Sequence, residues 1–210
     1  MNKDVIPFFQ CCKLSDNCDI YYKWRPSQDG TGWVAPGSGA GSGDPHFITL
    51  DGLEYTFNGY GEFVFLNVAE IGFQIQVRIG PIVENGEVSE GTVFKAVAVK
   101  GLDMDSIQIE LNVLNRVEVF VDGFLLDMNE FAGLNVVNFN GVDLILDRDE
   151  LSYAMQFSNG IRIEVKLSER KDALFLFTSV PSSWLNKTSG LMGNENFRII
   201  KLNGLLCFMG

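Results

Sequence analysis

Past residue 43, apolar and polar residues alternate with a period of two. Phe73 to Ile79 reads Phe-Gln-Ile-Gln-Val-Arg-Ile, which puts four apolar side chains on one face and three polar ones on the other. A strand buried on one side needs that pattern. Ile107 to Val113, Val117 to Val121 and Ile161 to Leu167 repeat it, so these runs are expected to be antiparallel strands with one wet face. Asn85-Gly86, Asp122-Gly123, Asn140-Gly141 and Asn159-Gly160 fall at the joints, and such dipeptides tolerate the positive φ angles of tight hairpins. Helical periodicity is missing, apart from a short helix expected around Ser182 to Leu185, after Pro181. The pattern predicts an all-β fold, an antiparallel two-sheet β-sandwich of about ten strands preceded by an irregular N-terminal segment. The expected core is Phe57, Phe63, Phe65, Phe73, Ile75, Val77, Val97, Ile109, Val119, Phe157, Ile163, Val165 and Phe175.

With 46% hydrophobic residues among 210, the chain can fill such a core. Sixteen Lys and Arg against 27 Asp and Glu leave a net charge of −11, which argues against nucleic acid or an anionic membrane surface as partner. The sequence has no 18-residue uncharged apolar run, so direct membrane insertion is not expected, and its first residues lack the apolar core of a signal peptide. Residues 35 to 43 read Ala-Pro-Gly-Ser-Gly-Ala-Gly-Ser-Gly, a composition expected to form a flexible linker over 37–42. Cys11, Cys12 and Cys18 crowd the start and Cys207 stands alone near the end. With no His or further Cys at ligand spacing, the three read as part of a disulfide framework rather than a metal site. That suits a secreted module whose earlier part lies outside this chain.

Three constellations carry candidate chemistry. Gly43-Asp44-Pro45-His46 places an acid-labile Asp-Pro bond beside the sole histidine. The Asp44 carboxyl can attack its own backbone carbonyl, and an imidazole, charged in mildly acidic compartments, can give the proline nitrogen a proton. Read alone, the same tetrapeptide more readily opens a turn before the first strand, with His46 capping or packing there. Asp51, Asn194 and Asn196 offer hard oxygens suited to Ca²⁺. Asn186-Lys187-Thr188 is a glycosylation sequon. No serine or cysteine nucleophile is found with a base, His46 being the sole histidine, and no zinc-ligand spacing is present, so no enzyme activity is expected beyond self-cleavage at Asp44-Pro45.

The run from Gly43 through Asp51-Gly52-Leu53-Glu54-Tyr55-Thr56-Phe57-Asn58-Gly59 resembles the opening of the von Willebrand factor type D domain, GDPH followed by DG-x-x-Y-x-F-x-G. The Cys11-Cys12 pair, Cys18 and Tyr21-Tyr22 through Arg25-Pro26-Ser27 and Asp29-Gly30 resemble the C-terminal end of an AMOP domain. With no cysteine between residues 19 and 206, the chain is similar to the branch of transmembrane mucins and sushi-domain surface proteins. The resemblance implies an AMOP end over 1–36, the linker 37–42, a type D domain over 43–196 and a divergent or truncated tail over 197–210. It implies a non-enzymatic extracellular or cell-surface module, part of a larger membrane protein, in adhesion or assembly. The implied partners are cell-surface proteins or its own cleaved N-terminal part. The alternative is a secreted, calcium-dependent polymer-forming module. In the family a calcium site joins the Asp of the LDG turn to a loop after GL-C-GN-x-N-G. Here Gly190-Leu191-Met192-Gly193-Asn194-Glu195-Asn196 has Met192 in place of the cysteine, and Phe197-Arg198 replaces the acidic end. A weak calcium site is the implication, and no other cofactor.

Overall fold

In the computed structural model the chain divides into two units, Met1–Ala35 and Pro36–Gly210. The structure describes residues 35–43, 45–84, 87–131, 133–147, 151–193 and 201–202, all but Ala35 in the second unit. The expected AMOP end with Cys11, Cys12 and Cys18, the Asn85-Gly86 joint and most of the tail lie outside the described residues.

Among the described residues the strands are β1 (Gly37–Ser42), β2 (His46–Ile48), β3 (Glu54–Thr56), β4 (Gly61–Val68), β5 (Phe73–Glu84), β6 (Glu87–Lys100), β7 (Ile107–Leu111), β8 (Val117–Val121), β9 (Phe124–Leu125), β10 (Val136–Phe139), β11 (Val142–Asp147), β12 (Ser152–Phe157), β13 (Arg162–Leu167), β14 (Leu174–Val180) and β15 (Lys201–Leu202). The fold is all-β and the ladders are antiparallel. The hydrogen-bonded path runs β10-β11-β12-β13-β14-β6-β5-β4-β15. From it branch β1, β2 and β3 beside β14, and β7, β8 and β9 beside β6. In place of two separate sheets the strands form two wings joined by one pair, Leu174 opposite Phe94. A single hydrophobic cluster draws on both wings, with Phe73 of β5 meeting Phe157 of β12 edge-on at 5.0 Å between ring centroids.

The alternation sets the register as the sequence predicts: Phe73, Ile75, Val77 and Ile79 face the core. The opposite face of the same strand is not wet, however. Gln76 is only 3% exposed, and Glu62 and Gln108 are buried with it over Ala96 and Ala98. Hydrogen bonds between these side chains replace part of the water there, while one oxygen each of Glu62 and Gln76 and one Arg78 guanidinium nitrogen are buried with no partner among the described residues. Gln76 donates to Gln74 (2.5 Å), while Arg78 reaches Glu62 (3.1 Å) and Glu110 (3.2 Å).

One core expectation, Phe175, is corrected, and a second, Phe57, holds only at the edge of the core. Leu174, Leu176, Thr178 and Val180 are the inward residues of β14, because β13 pairs Val165 with Leu176 and Ile163 with Thr178. Phe175 is thereby turned to the other face and only half-buried. Phe57 is also half-buried, packed edge-on against Phe63 at 4.9 Å. Val113, expected to continue β7, is fully exposed. The Asn112 carboxamide accepts from the Leu114 and Arg116 amides and turns the chain, so that β7 ends at Leu111, two residues earlier. Asp122 and Gly123, with φ of 48° and 80°, form the tight β8–β9 turn that the dipeptide predicts. The short helix after Pro181 is a 3-10 helix, Ser182–Lys187.

The expected linker is a strand. β1 pairs on one side with β14 from Gly37↔Val180 to Gly41↔Leu176 and on the other with β2 from Ala40↔Ile48 to Ser42↔His46. Its glycines are there for space. A Cβ on Gly39 would lie 2.3 Å from the Met192 methyl and 2.7 Å from the Ile48 carbonyl oxygen, and one on Gly41 would lie 2.9 Å from the Phe94 ring. Composition favoured a free coil, but ladders on both edges and a core that leaves no room for a side chain favour this strand.

Candidate functional site

The Asp44-Pro45 bond belongs to the connection between two paired strands, since Ser42 of β1 stands opposite His46 of β2. Gly43 takes a left-handed φ of 65°, which suits a reversal this short. Asp44 lies outside the described residues, but its neighbour is well held. Pro45 is buried, and its carbonyl accepts from the Phe57 amide at 3.0 Å. Next along, β2 pairs with β3 through His46↔Thr56, Phe47↔Tyr55 and Ile48↔Glu54. His46 is exposed, and its Nδ1 lies 2.8 Å from the Thr56 hydroxyl. These six strand residues line an open depression.

Behind the depression the hairpin is anchored in the core. Phe47 stacks on Tyr55 at 4.8 Å and meets Phe94 edge-on at 5.6 Å. The Tyr55 hydroxyl donates to the Leu191 carbonyl at 2.6 Å, and burial pushes its phenol well above the usual range. The Leu191 and Met192 amides donate to Val64 and Phe65 of β4 at 3.0 and 2.8 Å. Gly190, with φ of 100° and backbone oxygens of Val64 and Phe65 within 2.9 Å of any added Cβ, lets that loop lie flat on β4.

Asp51 sits exposed at the tip of the β2–β3 turn, where its carboxylate accepts from the Thr49 hydroxyl. The Leu50 amide reaches the Met192 carbonyl at 3.4 Å, so this turn adjoins the Gly190–Gly193 loop. Asn194 and Asn196 lie outside the described residues. Among the described residues no three His, Cys, Asp or Glu side chains gather as metal ligands. Asn186 is exposed on the 3-10 helix, while Thr188 of its sequon is buried with its hydroxyl donating to Leu185 at 3.2 Å. Among the described residues no helix is long and apolar enough to cross a membrane.

Thr56 and the Phe57 amide escape a reading of the motif alone. A two-residue turn at Asp51-Gly52 would set Phe57 opposite His46; the longer loop closed by the Thr49 amide on the Leu53 carbonyl at 3.0 Å shifts the register by one residue and brings Thr56 there.

A type D opening followed by an all-antiparallel sheet defines the class, and comparison with known families agrees. Residues 39–198 match the von Willebrand factor type D domain and residues 1–33 match the AMOP domain. The chain belongs to the von Willebrand factor type D domain family. The match begins inside β1, which places that strand in the domain rather than before it. Similar proteins include human Sushi domain-containing protein 2, 32% identical over 92% of this chain and 23% of that protein. Protein mesh of Bombyx mori is 31% identical over 91% and 13%, and human Mucin-4 is 27% identical over 92% and 4%. The chain thus spans less than a quarter of the length of these relatives.

Proposed function

We propose that this chain is a non-enzymatic extracellular module for adhesion or assembly at the cell surface, cut by its own residues between Asp44 and Pro45 and held together afterwards. Its partners are proteins of the cell surface and its own N-terminal piece. The observation that carries the reading is the position of the bond between two strands that are each hydrogen-bonded into one sheet, with the only histidine next to it.

The reaction is a net hydrolysis. An Asp44 carboxylate oxygen bonds to the Asp44 carbonyl carbon, closing a five-membered anhydride as the C–N bond to Pro45 breaks. The bond pair goes to the proline nitrogen, which takes a proton from the His46 imidazolium. Water then opens the anhydride, leaving Asp44 as a new C-terminus. Because β1 keeps its pairings to β14 and β2, residues 1–44 and 45–210 stay associated.

The purified chain is incubated at about pH 5.5 and about pH 7.5, a window in which histidine ordinarily changes charge. Intact mass and N-terminal sequencing are expected to give a new terminus at Pro45, formed faster at the lower pH, with both pieces in one native gel-filtration peak. Asp44→Asn is expected to remain whole. An unbroken wild-type chain at both values, or a cut elsewhere, sinks the reading.

Asp51, with Asn194 and Asn196, is proposed to hold calcium weakly, since the acidic end of the family's loop is replaced by Phe197-Arg198. Calorimetry is expected to find no affinity tighter than about 1 μM, and a nanomolar site would overturn this.

A further inference from the structure

We infer that Thr56 is a positioning residue for the cleavage, fixing which nitrogen of His46 delivers the proton. The inference rests on the cleavage reading above and adds a residue to it. The geometry is a cross-strand pair: β2 and β3 place His46 directly opposite Thr56, and Nδ1 is 2.8 Å from Oγ1. In the imidazolium both ring nitrogens carry hydrogen, so Nδ1–H donates to the Thr56 oxygen and Nε2–H is the proton left to give. After transfer to the proline nitrogen the ring is neutral with its hydrogen still on Nδ1, and the bond to Thr56 persists. One hydrogen bond therefore serves the ring before and after the step and needs no rearrangement during it. This is how an acceptor on one nitrogen sets the role of the other in catalytic histidines generally.

The surroundings leave this role to Thr56. Glu54, two pairs further along β3 and opposite Ile48, and Tyr55, whose hydroxyl is engaged by the Leu191 carbonyl, are the other ionisable side chains of the described depression. Ser42 faces His46 from β1, and the Asp44 carboxyl is the nucleophile of the reaction. The Pro45 carbonyl is occupied by the Phe57 amide, so the backbone on both sides of His46 is tied to β3 while the ring is tied to Thr56. Thr56 is exposed and outside the hydrophobic cluster, so changing it leaves the core intact.

Cleavage rates across pH are measured for wild type, Thr56→Val, Thr56→Ser and Glu54→Gln. His46 is the only histidine, so its two ring nitrogens give single resonances in ¹⁵N spectra, recorded on the uncut Asp44→Asn chain with and without Thr56→Val. Thr56→Val is expected to be at least about tenfold slower, the loss of one hydrogen bond from the charged ring, with Thr56→Ser near wild type and Glu54→Gln unchanged. The neutral ring is expected to carry hydrogen on Nδ1 when Thr56 is present and mainly on Nε2 when it is not. Equal rates for wild type and Thr56→Val, no rescue by serine, or an unchanged tautomer each overturn the inference. A wild-type chain that is never cut removes the cleavage reading itself, and the nitrogen spectra then report separately whether Thr56 holds the ring.

Discussion

Gly39→Val is expected to lower stability by about 3 kcal/mol or more, while Ser38→Val, one residue away, changes it by about 0.5 kcal/mol at most. The contrast comes from the two faces of β1. Gly39 points at the Met192 methyl and at the Ile48 carbonyl, 2.3 and 2.7 Å from where its first side-chain carbon would stand. Met192 is fully buried under β1, so its methyl has to repack within the core, and the Ile48 oxygen is backbone in the neighbouring strand and cannot step aside without moving the β2–β3 hairpin. Ser38 is exposed and valine is at ease in a strand. Denaturant midpoints for both variants decide between a packed strand and a tether. A linker would tolerate both changes equally, and equal midpoints would return residues 37–42 to that role. In the cut protein the same variant is expected to release residues 1–44 in gel filtration, because a strand that no longer fits between β14 and β2 has lost what retains it.

Phe47→Ala is expected to cost about 3–5 kcal/mol, as large-to-small changes at fully buried aromatics do. The ring is 1% exposed and touches Tyr55, Phe65 and Phe94, so its removal opens a void between the β2–β3 hairpin and the junction of the wings. The loss is expected to spread. Tyr55 would lose its stacking partner, and with it the alignment of the hydroxyl that donates to Leu191 and ties β3 to the Gly190–Gly193 loop. Ile48→Ala, on the exposed face of the same strand, is expected to stay within about 1 kcal/mol. Urea midpoints measure both. If Phe47→Ala proved as mild as Ile48→Ala, the hairpin would not be anchored through the core.

Period-two alternation made most of the fold legible. Phe73 to Ile79 needed no tertiary information, because in a strand each residue's face follows from its neighbour's. The same logic misassigned Phe175. Leu174 to Phe177 is apolar throughout, so nothing local says which residues face in, and the ladder to β13 decides. Gly37 to Ser42 misled for the opposite reason. Glycine and serine report a high entropic cost of ordering but not the contacts that offset it, and those contacts come from residues far away in sequence. In the site, the Asp44-Pro45-His46 run is a local motif and could be read directly, whereas Thr56 matters only through pairing across a turn. Gln76 and Arg78 looked like a solvated face because a hydrogen-bonded polar row and a wet one share the same residue types.

The order in which the chain leaves the ribosome gives β1 a consequence of its own. The strand emerges early, but one of its two partners is β14, near the far end of the domain. Pairings this distant along the chain form late and slowly. Until residues 174–180 have been made, β1 has one neighbour at most, and the connection that carries Asp44-Pro45 is not yet held from both sides. The bond is therefore expected to stay whole in nascent and truncated chains ending before β14, so that any cut marks a domain whose synthesis is complete.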